Sequence, residues 1–325
     1  MRPALLFTLI PLMVFGCSAT SDPNQFQSTS AGSGGNGTGG DGIGGTDFTG
    51  SGGSSGTAGG SANGCSEAAT LIYVLSTDND LYSFQPQQKQ FSKIGHLGCN
   101  TSMQPNSMAI DRDAVAWVNY VKSDGLGSDT AGAVFKVSTK DASCSSSPVK
   151  LSSGWFRLGM GFSSNMAGST EETLFVTGTG DGLGNPSPGL GRIDFGANKV
   201  VPIGQFSGNL AGENAELTGT GDAELYGFFT TTPVHVSKID KTNGKIAGDK
   251  TLPAVETPSA WAFSFWGGDF YLYTAPDPTL NPDRTSNVTR YRPSDGSVDT
   301  GYMKNVGFII VGAGVSTCAP LTPPK

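Results

Sequence analysis

Histidine is nearly absent from this chain. His96 and His235 are the only two in 325 residues, they lie far apart, and neither belongs to an HExxH or HxH pattern, so a zinc centre is not expected. Charge is scarce as well, at 14% of residues, and the balance of 20 Lys and Arg against 27 Asp and Glu leaves a net −7. Without clustered basic side chains, the sequence argues against a nucleic-acid partner, and none is expected. No G-x-S-x-G elbow occurs between residues 65 and 318, which removes the usual serine-hydrolase signal. The strings GTGDGLG and GTGD carry glycine but neither the Lys-Ser/Thr ending nor a following helix that a phosphate loop needs, so they fit strand ends and turns. Long apolar runs are missing beyond the first few residues, leaving no further segment able to span a bilayer.

That first apolar run is informative. Arg2 is followed by residues 3 to 15, almost wholly apolar, and then by Gly16-Cys17. The run is too short for a spanning helix and has the length of a signal-peptide core. Met13-Val14-Phe15-Gly16-Cys17 resembles the lipobox of bacterial lipoprotein signal peptides. The resemblance implies cleavage after residue 16, a lipid on Cys17, and a membrane partner reached through that lipid alone. In such lipoproteins an aspartate after the lipidated cysteine favours the inner membrane. Ser18 stands there, so the resemblance implies the outer membrane.

Residues 18 to 64 hold 16 glycines among 47 residues and almost no large apolar side chains, too little to offset the entropy of ordering. A disordered tether is expected, with a root-mean-square span of about 35 to 40 Å. Residues 65 to 318 suffice for one substantial domain, expected to be monomeric, and 319 to 325 form a tail. Setting Cys17 aside leaves Cys65, Cys99, Cys144 and Cys318, an even set suited to an oxidising compartment, with three pairings open.

A repeat of about fifty residues organises the domain. Five segments, LYSFQP, VFKVSTKD, LGRIDFG, VSKIDKTNG and VTRYRPSDG, alternate apolar and polar residues and end in turn chemistry. Their last apolar members, Phe84, Val137, Ile193, Ile239 and Tyr291, stand 53, 56, 46 and 52 residues apart. A more continuously apolar run precedes each: LIYVL, VAWVNY, TLFV, ELYGFF and DFYLY. Before four of those lies a strand rich in small residues: SMAI, LGMGF, ELTGTG or AWAFSF. The first unit lacks one, yet FIIVGAGVS is left over at the end. This pattern predicts an all-β, five-bladed β-propeller of four-stranded blades, with small-residue inner strands at the axis and the last strand completing the first blade. A two-sheet sandwich is the competing architecture. In the propeller, Cys65 and Cys318 flank adjacent strands of the composite blade, which favours Cys65 with Cys318 and Cys99 with Cys144.

The loops joining second to third strands share a rim with the loops joining blades, and this rim is the candidate binding face. Three look long: KSDGLGSDTAGA from Lys122, GTGDGLGNPSPG from Gly178, and APDPTLNPDRTSN from Ala275. They supply Asp124, Asp129, Asp181, Asp277 and Asp283 as ligand-binding candidates. Asp124 and Asp181 open two DGLG strings that could serve Ca²⁺, although neither has calcium-loop spacing, and no other cofactor is expected. A glycosidase needs paired carboxylates facing one pocket. Glu216 on an inner strand, with Glu213 just ahead of it, is the nearest approach. In AWAFSFWGG, Trp261, Phe263 and Phe265 share one face and read as core. Trp266 points the other way and is the aromatic candidate for stacking a ligand.

PNSMAIDRDAVAWV, ETLFV and AWAFSFWGGDFYLY resemble uncharacterised propeller lipoproteins of myxobacteria, a resemblance that covers most of the domain and implies no activity. The expectation is a lipid-anchored envelope protein whose propeller binds or scaffolds a glycan or protein without catalysis. The alternative is a propeller enzyme, hydrolase or lyase, acting on polysaccharide.

Overall fold

A computed structural model of the chain describes residues 65–125, 127–180, 185–277 and 285–324. The expected cleavage and lipid sites, the tether, Asp181 and Asp283 lie outside the described residues.

Strands β1 (Ile72–Ser76), β2 (Asp80–Gln85) and β3 (Gln90–His96) form three quarters of the first blade. The second contains β4 (Gln104–Ile110), β5 (Val115–Ser123), β6 (Asp129–Ser138) and β7 (Cys144–Ser146). The third contains β8 (Leu158–Ser164), β9 (Glu172–Gly178), β10 (Leu190–Asp194) and β11 (Lys199–Gly204). In the fourth are β12 (Glu216–Gly219), β13 (Leu225–Phe229), β14 (Val234–Ile239) and β15 (Ile246–Leu252). The fifth holds β16 (Ala260–Trp266), β17 (Asp269–Ala275), β18 (Asn287–Arg292) and β19 (Ser297–Met303). The last strand, β20 (Ile310–Gly314), returns to pair antiparallel with β1, setting Tyr73 opposite Gly314 and Val74 opposite Ala313. Five four-stranded antiparallel sheets result, and the chain is a five-bladed propeller.

Each blade is apolar on both faces because it is sandwiched between two others. The buried side chains fall into five clusters, each bridging two adjacent blades. Between blades five and one, Ile72, Val74 and Phe84 meet Tyr271, Tyr273 and Val288. The inner strands β4, β8, β12, β16 and β20 pack in turn around the axis. Their small residues are required by that crowding: a Cβ on Gly159 would lie 1.9 Å from the Ala215 carbonyl oxygen, and one on Gly219 would lie 2.2 Å from that of Phe162.

Both favoured disulfides are present. Cys65 is bonded to Cys318 with Cα atoms 5.8 Å apart, and Cys99 to Cys144 with Cα atoms 5.1 Å apart. Paired cysteines of this kind mark an extracytoplasmic protein. Among the described residues no helix is long and apolar enough to cross a membrane.

One loop differs from expectation. The segment from Lys122 to Ala133 is mostly ladder, because β5 and β6 continue with Tyr120 opposite Ala133 and Lys122 opposite Ala131. The small residues Ala131, Gly132 and Ala133 let β6 extend outward past the loop before β8; a Cβ on Gly132 would sit 2.2 Å from the Phe156 carbonyl oxygen. Asp129 is therefore a strand residue, paired across from Ser123.

Candidate binding site at the propeller axis

Inner strands that start around a common axis leave a depression where they begin. A cavity of 210 Å³ occupies that position, lined by Asn106 of β4, Leu158 and Gly159 of β8, Glu216 of β12, and Ala260 and Trp261 of β16. Arg157, Thr179, Asn214 and Ser259 supply further polar lining, and Val311 of β20 closes the circuit with an apolar group.

A buried asparagine builds one wall. Asn119 of β5 interrupts the apolar run VAWVNY and is fully shielded from solvent. Its Nδ2 donates to the carbonyl oxygens of Ala133 (3.3 Å) and Phe156 (3.1 Å), while its Oδ1 accepts from the Leu158 amide (3.0 Å) and from Asn106 Nδ2 (3.0 Å). The loop before β8 is thereby fixed to the second blade, and Arg157 is aimed at the cavity. Arg157 pairs with Asp129 through Nε (2.9 Å to Oδ2) and Nη2 (2.9 Å to Oδ1), and its Nη1 donates to Asn106 Oδ1 (2.7 Å). A two-pronged contact of this kind holds both side chains in one plane and neutralises the cation.

Glu216 is the cavity's single carboxyl group among the lining residues. It is 5% exposed and accepts the Ser107 hydroxyl at 2.8 Å on Oε2. Burial drives its carboxyl well above the ordinary carboxylate range; the Ser107 hydroxyl, the Met160 amide and the charge of Arg157 only partly oppose that. The cavity therefore presents a buried carboxyl whose ionisation is disfavoured, an Arg–Asp pair, amide and hydroxyl groups, and one indole.

The sequence candidates distribute unevenly around this site. Glu216 lines the cavity, and Asp129 touches it through Arg157. Glu213 is exposed and outside the lining, so the two glutamates do not form a facing pair. Asp124 is exposed, and its Oδ1 accepts the Ser128 amide at 3.0 Å, closing its own turn; Asp277 is exposed beyond β17. No group of three or more His, Cys, Asp or Glu residues able to hold a metal occurs among the described residues.

Each tryptophan is part packed and part beside a cavity, Trp266 lining a small one with Leu71 and Phe84. Trp266 stands beside the Gly267–Gly268 turn at the far end of β16, where its Nε1 donates to the Thr70 carbonyl oxygen at 2.8 Å and its ring packs against the cluster between blades five and one. Trp261 packs against the cluster of Phe263 and Phe265, as expected, and also lines the axial cavity. Alternation along β16 sets which inter-blade cluster each indole joins, and position along the strand sets which rim it stands near. Arg157, Asn106 and Asn119 escaped sequence reading altogether. The one signal for them is a polar residue set within a run that is otherwise apolar.

No family profile and no curated protein sequence matches the chain. Among solved structures it is similar to an exo-β-1,3-galactanase from Clostridium thermocellum, at 11% identity and a TM-score of 0.42, over 70% of this chain and 50% of that one. It is also similar to a glycoside hydrolase at 14% identity and a TM-score of 0.42, over 59% of this chain and 46% of the other. The chain thus spans about half the length of those two proteins. A protein of unknown function from Bacteroides caccae is similar at 10% identity and a TM-score of 0.36, over 75% of this chain and 97% of that chain.

Proposed function

We propose that this is an exported, lipid-tethered envelope protein of the outer membrane whose propeller binds a glycan or protein ligand at the axial cavity, without catalysis. The observation that carries this reading is the composition of the cavity, in which one indole and several neutral polar groups converge around a single carboxyl. A concave, largely preformed site with few fixed polar groups suits recognition. Lipidation at Cys17 rests on the lipobox, and export is supported by the two disulfides.

Catalysis on polysaccharide is the second reading, and Glu216 favours it, since burial in the cavity raises its carboxyl in the direction a general acid requires. Glycoside hydrolysis also needs a second carboxylate at the reacting centre. Asp129 is committed to Arg157, and Glu213 lies outside the cavity lining.

The test is a screen of the detergent-purified protein against envelope and extracellular glycans and peptides, with and without Ca²⁺. A ligand whose affinity falls roughly tenfold in Trp261→Ala is expected, the loss of one aromatic wall. Absence of any ligand sinks the recognition reading. Release of reducing ends that stops in Glu216→Gln replaces it with the enzymatic one.

A further inference from the structure

The rim opposite the axial cavity carries a second concentration of chemistry, around the disulfide that joins the two ends of the propeller. Cys65 and Cys318 line a cavity of 300 Å³ together with Arg112, Thr317 and Asp222. Arg112, in the turn after β4, reaches the neighbouring blade: its Nη2 lies 3.2 Å from Cys65 Sγ, and its Nη1 donates to Thr317 Oγ1 at 3.0 Å. Glu172 at the start of β9 orients this arrangement by accepting the Arg112 amide (2.8 Å) and the Thr317 hydroxyl (2.7 Å).

The second disulfide has none of this. Cys99 and Cys144 pack against the apolar cluster between blades one and two, and no donor among the described residues lies within hydrogen-bond distance of either sulfur. Two disulfides of one protein thus differ in the environment offered to a departing thiolate. A guanidinium beside sulfur stabilises the thiolate and speeds its departure, whereas apolar surroundings disfavour it.

We propose that Cys65–Cys318 is a thiol-exchange site, addressed by a small thiol or a dithiol protein through the cavity at the rim, with Arg112 selecting Cys65 as the leaving sulfur. The attacking thiolate forms a bond to Cys318 Sγ as the Cys65–Cys318 bond breaks. The bonding pair passes to Cys65 Sγ, which leaves as a thiolate beside Arg112. A second thiolate then attacks the incoming sulfur, freeing Cys318 as a thiolate; the two reagent thiols are oxidised to a disulfide and the clasp is reduced to two thiols. The β1–β20 ladder is independent of this bond, so exchange frees the chain at Cys65 while leaving the ring hydrogen-bonded.

The test measures both disulfides in the same molecule. The oxidised full chain is incubated with reduced glutathione or dithiothreitol, acid-quenched at intervals, alkylated and mapped by mass spectrometry. Cys65 and Cys318 should become labelled roughly tenfold faster than Cys99 and Cys144. Arg112→Gln should bring the two rates together, and Arg112→Lys should restore most of the difference, with near-ultraviolet circular dichroism confirming that each variant is folded before reduction. Equal rates in the unaltered protein overturn the proposal without need of any variant, as does an undiminished ratio in folded Arg112→Gln.

Discussion

Glu216 is the residue at which position and chemistry are most in tension. An inner-strand acid is visible in ELTGTG, but its state is decided by neighbours remote in sequence, Ser107 and the Met160 amide, and by the closure of four other blades around it. Its folded pKa is raised, so the sign of the linkage is fixed. Below the ordinary value near 4.5 both folded and unfolded forms are protonated and the group is neutral toward stability. Above it the unfolded chain ionises and the folded one does not, so stability falls with rising pH by about 1.4 kcal/mol per unit until the folded group itself ionises. Glu216→Gln removes that dependence. Urea denaturation from pH 4 to pH 8 should show the variant matching the unaltered protein at pH 4 and gaining on it steadily above pH 5. Parallel curves would mean that Glu216 is ionised when folded, and the cavity would then carry a negative charge.

At the scale of elements, the strands were legible because the period-two alternation and the runs of small residues have direct physical causes. LGMGF, ELTGTG and FIIVGAGVS announce inner strands because neighbouring inner strands approach too closely for a side chain at their glycines. Gly159→Ala should therefore cost about 3 kcal/mol or more, since its new Cβ meets a backbone carbonyl oxygen that has nowhere to move. Gly248 on the outer strand β15 is the matched control: a Cβ there meets only Lys238 Cβ at 3.8 Å, so Gly248→Ala should stay within about 0.5 kcal/mol. Equal losses in chemical denaturation would show that the crowding is not specific to the axis. The loop ends were less legible. Asp129 looked like a loop residue because the sequence from Lys122 is rich in Gly, Ser and Asp, yet cross-strand pairing extends β5 and β6 through it. The same limit hid the site, since Arg157 and Asn119 acquire roles only once blades two and three are packed together.

For the whole molecule, the period of about fifty residues and the spare terminal strand sufficed to read ring closure, and with it the cysteine pairing. Closure here is double, one ladder between β1 and β20 and one covalent bond. The covalent part can be weighed against the other disulfide, because the two close loops of very different length, 253 and 45 residues in separation. If the dominant effect is the entropy removed from the unfolded chain, the longer loop stabilises more, by about 1.5 kcal/mol at 25 °C from the logarithm of the two lengths. The paired variant Cys65→Ala/Cys318→Ala should then lose about 1.5 kcal/mol more than Cys99→Ala/Cys144→Ala in urea denaturation. The reverse order would mean that native packing around the bond outweighs loop entropy, and Cys99 and Cys144 are the pair set against the core between blades one and two. The expected order has a further consequence: the bond contributing more to stability is also the one placed beside Arg112, where exchange is easiest. Reducing conditions mild enough to spare Cys99–Cys144 should lower the unfolding midpoint of the unaltered protein to that of Cys65→Ala/Cys318→Ala, and no further.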